Sequence, residues 1–147
     1  MRAFIKKYPV LLLLPTLLLA GCMSPERDMA RFLVPGPDEE PAYREKAMEF
    51  IRYAQAGDVE HMLAITSSIT HATQTDSIRS LYADQVVPAF KGKAVTWKAG
   101  NTPDFDESNN VGLLFTGTAR GQKSFSFDVV VMKEGGKLVI INIRVHH

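Results

Sequence analysis

Residues 111–145 read VGLLFTGTARGQKSFSFDVVVMKEGGKLVIINIRV, and apolar residues alternate with polar ones through most of this stretch. Alternation with a period of two, together with many Val, Ile, Phe and Thr residues, is typical of β-strands. The pattern predicts strands over 111–119, 124–132 and 138–145, and a further strand over 94–98. Because the links at 120–121 and 134–136 are short enough for hairpins, the last three strands are expected to form an antiparallel meander.

The two closing strands each have one uniformly apolar face. In the first of them this face is formed by Phe125, Phe127, Val129 and Val131, with Ser126 and Asp128 on the other side. In the second it is formed by Val139, Ile141, Ile143 and Val145, with Asn142 and Arg144 opposite. A loop of odd length around Gly135 brings the apolar faces together, whereas a two-residue turn pairs Phe127 with Arg144. We therefore predict the odd loop.

Before residue 92 the apolar spacing is helical instead. The first predicted helix has its apolar face at Tyr43, Ala47, Phe50, Ile51 and Ala54, with Pro41 in the first turn and Gly57 as the C-terminal cap. Asp58 is expected to cap a short second helix that ends in the Ser and Thr cluster at 66–70. A third helix is predicted to begin at Thr75 or Asp76 and to stop at Pro88 or Gly92, with one face formed by Ile78, Leu81, Tyr82 and Val86. Helices followed by strands indicate an α+β fold, with three helices packed on a curved four-stranded antiparallel sheet.

The N-terminus has the order of a secretory signal. Arg2, Lys6 and Lys7 precede an apolar run over 8–20, which is shorter than the roughly 20 residues of a membrane-spanning helix and contains two prolines. The run ends in Leu19-Ala20-Gly21-Cys22, which resembles the lipobox of bacterial lipoproteins. The resemblance implies cleavage between Gly21 and Cys22 and lipid attachment at Cys22. The alternative is an ordinary secreted protein with a stray cysteine.

This resemblance also implies a location. A lipidated chain with two or more acyl groups is held stably at a membrane, so we expect a periplasm-facing protein anchored in the bacterial cell envelope. Met23 follows the cysteine, where lipoproteins kept at the inner membrane typically have Asp, and this favours the outer membrane in a host with two membranes.

Composition limits the possible functions of the remaining chain. Of 147 residues, 126 follow Gly21, which is the length of one domain. Three of the 17 basic residues lie in the signal, and the 14 that remain face 16 acidic residues, so no nucleic-acid partner is expected. The single cysteine is assigned to the lipid, so no disulfide is expected.

The segment that follows the cysteine is predicted to be a tether. We divide the chain into a signal peptide (1–21), a lipidated tether (22–41) and one α+β domain (42–147), because prolines and charged residues are frequent up to Pro41. The tether contains four large apolar residues, Met29, Phe32, Leu33 and Val34. They are expected to dock either on the domain or on the membrane surface.

Three features of the domain resemble the nuclear-transport-factor-2-like superfamily, a cone-shaped, cystatin-like α+β fold. They are a first helix that ends in Gln55-Ala56-Gly57-Asp58, a short second helix, and the closing strand through Ile140-Ile141-Asn142-Ile143. The resemblance covers the chain from about Ala42 onwards. It implies a hollow between helices and sheet, which members of the superfamily use as a ligand pocket, as an active site or simply as core.

Two groups of potential ligand residues resemble parts of metal sites, but neither has the spacing of a known metal site. Asp104, Asp106, Ser108 and Asn110 look like the first half of a calcium loop, but Asn109 and Phe115 stand where such a loop needs Gly and Glu. An acidic, solvated loop is therefore expected over 101–110. None of the histidines has zinc spacing: we expect His61 near the start of the second helix, His71 in a polar loop, and a frayed terminal pair at His146 and His147. No metal and no cofactor are expected.

Asp128 is the best candidate for acid-base chemistry, since burial in mid-strand raises the pKa of a carboxyl group. Arg144 is expected diagonally near it, and an ion pair between the two is the favoured alternative. Tyr82, Trp97, Asp128 and Arg144 are predicted to line a pocket, although aromatic residues at these spacings are more often core.

The sequence therefore predicts a non-enzymatic, lipid-anchored protein whose domain binds a partner protein or a small apolar ligand. The alternatives are a small isomerase or hydrolase that uses Asp128, and a structural lipoprotein that forms a homodimer.

Overall fold

The structure, a computed structural model, describes residues 34–105 and 111–146, with backbone alone for 69–73. Its helical part comprises α1 (Glu40–Ala56), α2 (Val59–Ala64), α3 (Ser68–Leu81), a π-helical turn (Tyr82–Val86) and α4 (Val87–Phe90). Its strands are β1 (Ala94–Trp97), β2 (Thr102–Phe105), β3 (Val111–Arg120), β4 (Phe125–Glu134) and β5 (Lys137–His146). The predicted α+β class is confirmed. The predicted signal, Cys22 and most of the tether lie outside the described residues.

The first two helices form as the sequence predicts. The predicted apolar face of α1 is buried, and Gly57 ends the helix in the left-handed conformation with φ of 76°. Asp58 caps α2, since its side chain accepts a hydrogen bond from the backbone N–H of His61. Val34, the one predicted docking residue of the tether that is described, packs against the core of the domain.

The third helix begins earlier than predicted, and the helical run that continues from it ends at Phe90, just before Gly92, the second of the two predicted stops. It begins at Ser68 rather than at Thr75, and non-helical angles at Gln74 kink it where the predicted start lies. Glu134 of β4 accepts hydrogen bonds from Ser67 and from the backbone N–H of Ser68, and so satisfies donors at the start of α3 that local sequence does not. The predicted polar loop around His71 is therefore wrong, since this residue lies in the helix.

Pro88 does not stop the helical run. The backbone N–H of Val87 bonds the carbonyl of Tyr82 in a π-helical turn, and α4 continues through the proline to Phe90. Ile78, Tyr82 and Val86 are buried as predicted, but Leu81 is 40% exposed, which corrects its predicted place on the buried face.

The sheet is antiparallel in the order β1-β3-β4-β5, and β2 also pairs with β3. β1 pairs with residues 117–120 of β3 and β2 with residues 111–114, so the two short strands lie end to end along one edge. The described sheet thus has five strands instead of the predicted four, and β2 replaces part of the predicted loop. Pro103 argues against a strand in the sequence, because proline has no N–H group to donate. An edge strand tolerates such a residue.

The loop between β4 and β5 is not the predicted odd loop. Gly135 and Gly136, both with positive φ, form a two-residue turn that pairs Glu134 with Lys137. A β-bulge opposite Val130 and Val131 then shifts the register by one residue, so that Phe127 faces Val145. As a consequence Leu138, Ile140, Ile143 and Val145 face the core, while Val139 and Ile141, predicted to do so, do not.

The core lies between the helices and the face of the sheet that carries Phe115, Phe127 and Val129. Large side chains fill this space, and among the fully buried ones are Phe50, Phe90, Phe115 and Phe127. The rings of Phe90 and Trp97 contact Phe127 edge to face at centroid distances of 4.9 and 5.2 Å.

The sheet curves towards the face that the helices leave uncovered. Asp104 of β2 and Arg144 of β5 form an ion pair of 3.1 Å although β3 and β4 lie between them. A flat sheet separates β2 from β5 by about 14 Å, and register adds an offset, because Asp104 is level with Gly112 whereas Arg144 is level with Thr116. Only a curved sheet brings the two side chains together.

Candidate functional site

The four residues predicted to line one pocket lie on two different faces of the sheet. Tyr82 is buried in the core beside Phe50, and Trp97 is partly buried against Phe127. Asp128 and Arg144 point to the opposite, helix-free face, directly opposite each other in register rather than diagonally. The structure therefore brings Asp128 near Arg144 and separates both of them from the two aromatic residues.

Tyr82 has a structural partner for its hydroxyl group. Thr66 Oγ1 donates to the carbonyl of Met62 at 2.8 Å, so the 2.9 Å contact between Thr66 and Tyr82 has the tyrosine as its donor. Burial raises the pKa of the Tyr82 phenol. The Tyr82 hydroxyl group is therefore protonated and donates its hydrogen bond to Thr66 within the core.

Asp128 is the centre of a polar cluster on the helix-free face. Thr116 Oγ1 donates to Asp128 Oδ1 at 2.7 Å, and Nε2 of His146 lies 2.6 Å from Asp128 Oδ2. We call Thr116, Asp128 and His146 the Asp128 cluster. His146 belongs to β5, so the prediction that it is frayed is wrong; nothing in the local sequence indicates a strand that continues to the penultimate residue. His147 lies outside the described residues.

The cluster keeps the carboxyl group of Asp128 charged. Burial raises its pKa, but the hydrogen bonds from Thr116 and His146 and the charge of Arg144 outweigh burial, and the pKa falls below its ordinary value. A catalytic acid needs a raised pKa and a catalytic base is weak when its pKa is low. The predicted ion pair between Asp128 and Arg144 is wrong: Arg144 pairs with Asp104, and Asp128 bonds His146.

We expect Asp128→Asn to lower the free energy of unfolding by about 1–3 kcal/mol at neutral pH, because two hydrogen bonds to a charged, largely buried acceptor are weakened. A carboxyl group whose pKa is lower in the folded state stabilises the fold above its unfolded pKa, and loses this effect as the pH falls towards the folded pKa. The extra stability of wild type over the variant should hence be present near neutrality and shrink below about pH 4.

Urea unfolding at a series of pH values measures this difference. Asp84→Asn serves as the control, because Asp84 is exposed on the helical layer and its substitution should change the unfolding free energy by less than about 0.5 kcal/mol. A difference for Asp128→Asn that is as large at about pH 3 as at neutral pH contradicts the prediction.

A second candidate site is an apolar groove between the helical layer and the edge of β5 that pairs with none of the described strands. It has a volume of about 510 Å³ and is lined by Leu81, Gln85, Val86, Pro88, Ala89, Ile143 and Val145. We call it the β5 groove. Six of its seven lining residues are apolar and it is large enough for a small ligand or for several side chains, which is the composition and size typical of binding sites.

The π-helical turn shapes this groove. Leu81 and Gln85 line both the β5 groove and a second hollow of about 370 Å³, which Gln74 and Ser77 also line. π-helical turns are rare and frequently occur at functional sites. The sequence does not predict this groove, because the helical period places Leu81 in the core. The one feature that could have indicated it is that the last strand of a meander lies at a sheet edge.

The described residues do not combine into a set of metal ligands. His61 Nδ1 lies 2.6 Å from Asp58 Oδ2 at the start of α2, as its predicted position allows, and the ring of His61 stacks on Tyr53. The hydrogen bond from the His61 backbone N–H holds the pKa of Asp58 below its ordinary value. Within 34–105 and 111–146 there is no group of three or more ligand residues that could hold a metal. Asp106, Ser108 and Asn110 of the calcium-like pattern lie outside these ranges, and Asp104 pairs with Arg144.

No helix among the described residues is long and apolar enough to cross a membrane. No protein-family model, no curated protein and no solved structure matches the chain. The described part of the chain is thus an α+β domain that carries a polar cluster on its sheet and an apolar groove at its edge.

Proposed function

We propose that this chain is a lipid-anchored protein of the bacterial cell envelope whose domain binds a partner protein or a small apolar ligand without catalysing a reaction. The observation that carries the proposal is the β5 groove. Its walls come from the end of α3, the π-helical turn, α4 and the strand β5, and Leu81 at its rim stays 40% exposed. An exposed leucine beside a partly open apolar groove is a feature of binding surfaces.

The catalytic alternative has less support. Asp128 has a lowered pKa, and both of its carboxylate oxygens accept hydrogen bonds from neighbouring side chains. The Asp128 cluster lies on the face of the sheet away from Tyr82 and Trp97, so the predicted pocket residues do not surround a common substrate site.

The anchor and the fold family belong to the same proposal. The residues from Leu19 to Cys22 support lipid attachment, and the tether would let the domain work close to a membrane surface. Three helices packed on a curved antiparallel sheet support the likeness to the nuclear-transport-factor-2-like fold. Here, however, the groove lies at the sheet edge, and aromatic side chains fill the space between helices and sheet.

Photocrosslinking in bacterial cells tests this proposal on the full chain. A photoreactive amino acid replaces Leu81 at the groove rim or, as the control, Phe105, which lies on β2 and is the other large exposed apolar residue among those the structure describes. We expect a covalent adduct from position 81 and none from position 105. Ala89→Trp, which fills the groove, should abolish the adduct.

Two outcomes would overturn the proposal. One is the absence of any adduct at position 81, and the other is an adduct that persists when Ala89→Trp fills the groove and circular dichroism shows a retained fold. Fractionation of the same cells tests the anchor, since the chain should sediment with membranes and Cys22→Ser should release it.

A further inference from the structure

The helix-free face of the sheet has a small apolar cluster of its own. Val130 is completely buried and Met132 is 6% exposed, although alternation along β4 turns both away from the helices and neither belongs to the core on the other face. A Cβ atom at Gly112 would come within 2.8 Å of Cγ1 of Val130 and 3.5 Å of Cδ1 of Ile141, so these two side chains close over the glycine. We call Val130, Met132 and Ile141 the second cluster.

The ion pair between Asp104 and Arg144 crosses the second cluster. In register, Asp104 is level with Met132 of β4, and Arg144 is level with Asp128 of the same strand. Val130 lies between these two levels and on the same face, so a contact of 3.1 Å that joins β2 to β5 has to pass over it. The ion pair therefore helps to bury a valine on a face that no described helix covers.

The same curvature leaves room for the β5 groove. The sheet curves towards the helix-free face, so its edge strand β5 is carried away from the helical layer, and the β5 groove lies between the two. Arg144 stands on β5 between Ile143 and Val145, whose side chains line the groove from the opposite face. A flatter sheet would bring these two residues towards Pro88 and Ala89 and narrow the groove.

Arg144 has a second carboxylate within reach. Asp128 is directly opposite it in the ladder of β4 and β5, and cross-strand neighbours of this kind have Cβ atoms about 5 Å apart. The guanidinium group can therefore turn from Asp104 to Asp128 without losing an acidic partner. The contact that bridges the sheet can open at a low energetic cost.

We propose that the ion pair between Asp104 and Arg144 is a clasp that holds the sheet in its curved form, and that ionic strength regulates the width of the β5 groove through it. This inference rests on the proposed function and deepens it, because it names how binding in the groove is regulated. The two side chains are 28% and 44% exposed, so salt screens the pair. An ion pair of this exposure shifts an equilibrium by up to about fivefold.

Oxidation of methionine by dilute hydrogen peroxide tests the clasp without a ligand. Met62 is completely buried beneath the helices and is the internal reference for Met132 in the same molecule. In the full chain purified from cells, Asp104→Asn should raise the ratio of Met132 to Met62 oxidation about two- to fivefold at low salt. Raising the salt concentration from about 0.01 M to about 1 M should raise the ratio in the wild type and have little effect in the variant.

Asp38→Asn is the matched control, because it removes an exposed carboxylate that lies before α1 and outside the sheet. The ratio should not change in this variant. A ratio that stays the same in Asp104→Asn, or that does not respond to salt in the wild type, overturns the clasp.

The photoreactive amino acid at position 81 tests the effect on the groove. Asp104→Asn should lower the yield of the adduct in cells about two- to fivefold, and Asp38→Asn should leave it unchanged. An unchanged yield in Asp104→Asn, although Met132 has become accessible, overturns the regulation of the groove. Absence of the adduct in the wild-type background overturns the proposed function and this regulation with it, whereas the methionine ratio depends on no ligand and still decides whether the clasp exists.

Discussion

Phe127→Ala should lower the free energy of unfolding by about 3–5 kcal/mol. Phe127 is completely buried, and its ring meets those of Phe90, Trp97 and Phe125 at centroid distances of 4.9, 5.2 and 6.4 Å. Truncation removes buried apolar surface and leaves a cavity that surrounding rings fill only in part. Since small domains are stable by about 5–15 kcal/mol, the loss is a large share of the total. Urea unfolding followed by far-ultraviolet circular dichroism measures it.

Phe105→Ala is the matched control, because Phe105 is a phenylalanine of the same sheet that stays 49% exposed. It should cost less than about 1 kcal/mol. Equal losses for the two variants would show that Phe127 does not hold the central place in the core that its contacts indicate.

Gly117→Ala should cost about 1–3 kcal/mol, although replacing glycine by alanine in a strand ordinarily stabilises by roughly 0.5–1 kcal/mol. Gly117 faces Phe127 across the ladder, and the aromatic ring lies on the glycine. A Cβ atom at this position would come within 2.8 and 2.9 Å of Cε1 and Cε2 of the ring, and closer still to Cζ. The ring fills the core on its other side, so it has little room to move.

Two comparisons check this prediction by the same unfolding measurement. Gly121→Ala should be neutral within about 0.5 kcal/mol, since its Cβ would meet only the flexible end of Lys93. In the Phe127→Ala background the cost of Gly117→Ala should disappear, because the clashing ring is gone. A stabilised Gly117→Ala variant, or costs that add without coupling, contradicts the predicted packing.

Local periodicity was sufficient to predict most of the secondary structure. α1 and α2, the four predicted strands and the apolar face of Phe125, Phe127 and Val129 are confirmed, because the spacing of apolar residues records which side of an element is buried. Two of the errors, the start of the third helix and the missed strand β2, involve residues whose local preference a distant partner overrides. Glu134 of β4 caps the start of α3, and pairing with β3 makes Pro103 and its neighbours an edge strand.

The candidate sites were less predictable than the fold. Asp128 and Arg144 were singled out from the register of the closing strands, and they do lie side by side. His146 was not, because only the position of β5 beside Asp128 gives it a partner. The groove arises where the π-helical turn and β5 approach each other, and residues from 81 to 89 and from 143 to 145 have no sequence signal that connects them.

The chain by itself therefore determines the α+β class and the positions of most helices and strands. These properties depend on neighbouring residues, whose spacing and order are written directly in the sequence. The tertiary structure alone decided the bulge in β5, the curvature that joins Asp104 to Arg144, the charged state of Asp128 and the groove at the sheet edge. Each of these depends on side chains that are distant along the chain and meet only after the helices have packed on the sheet.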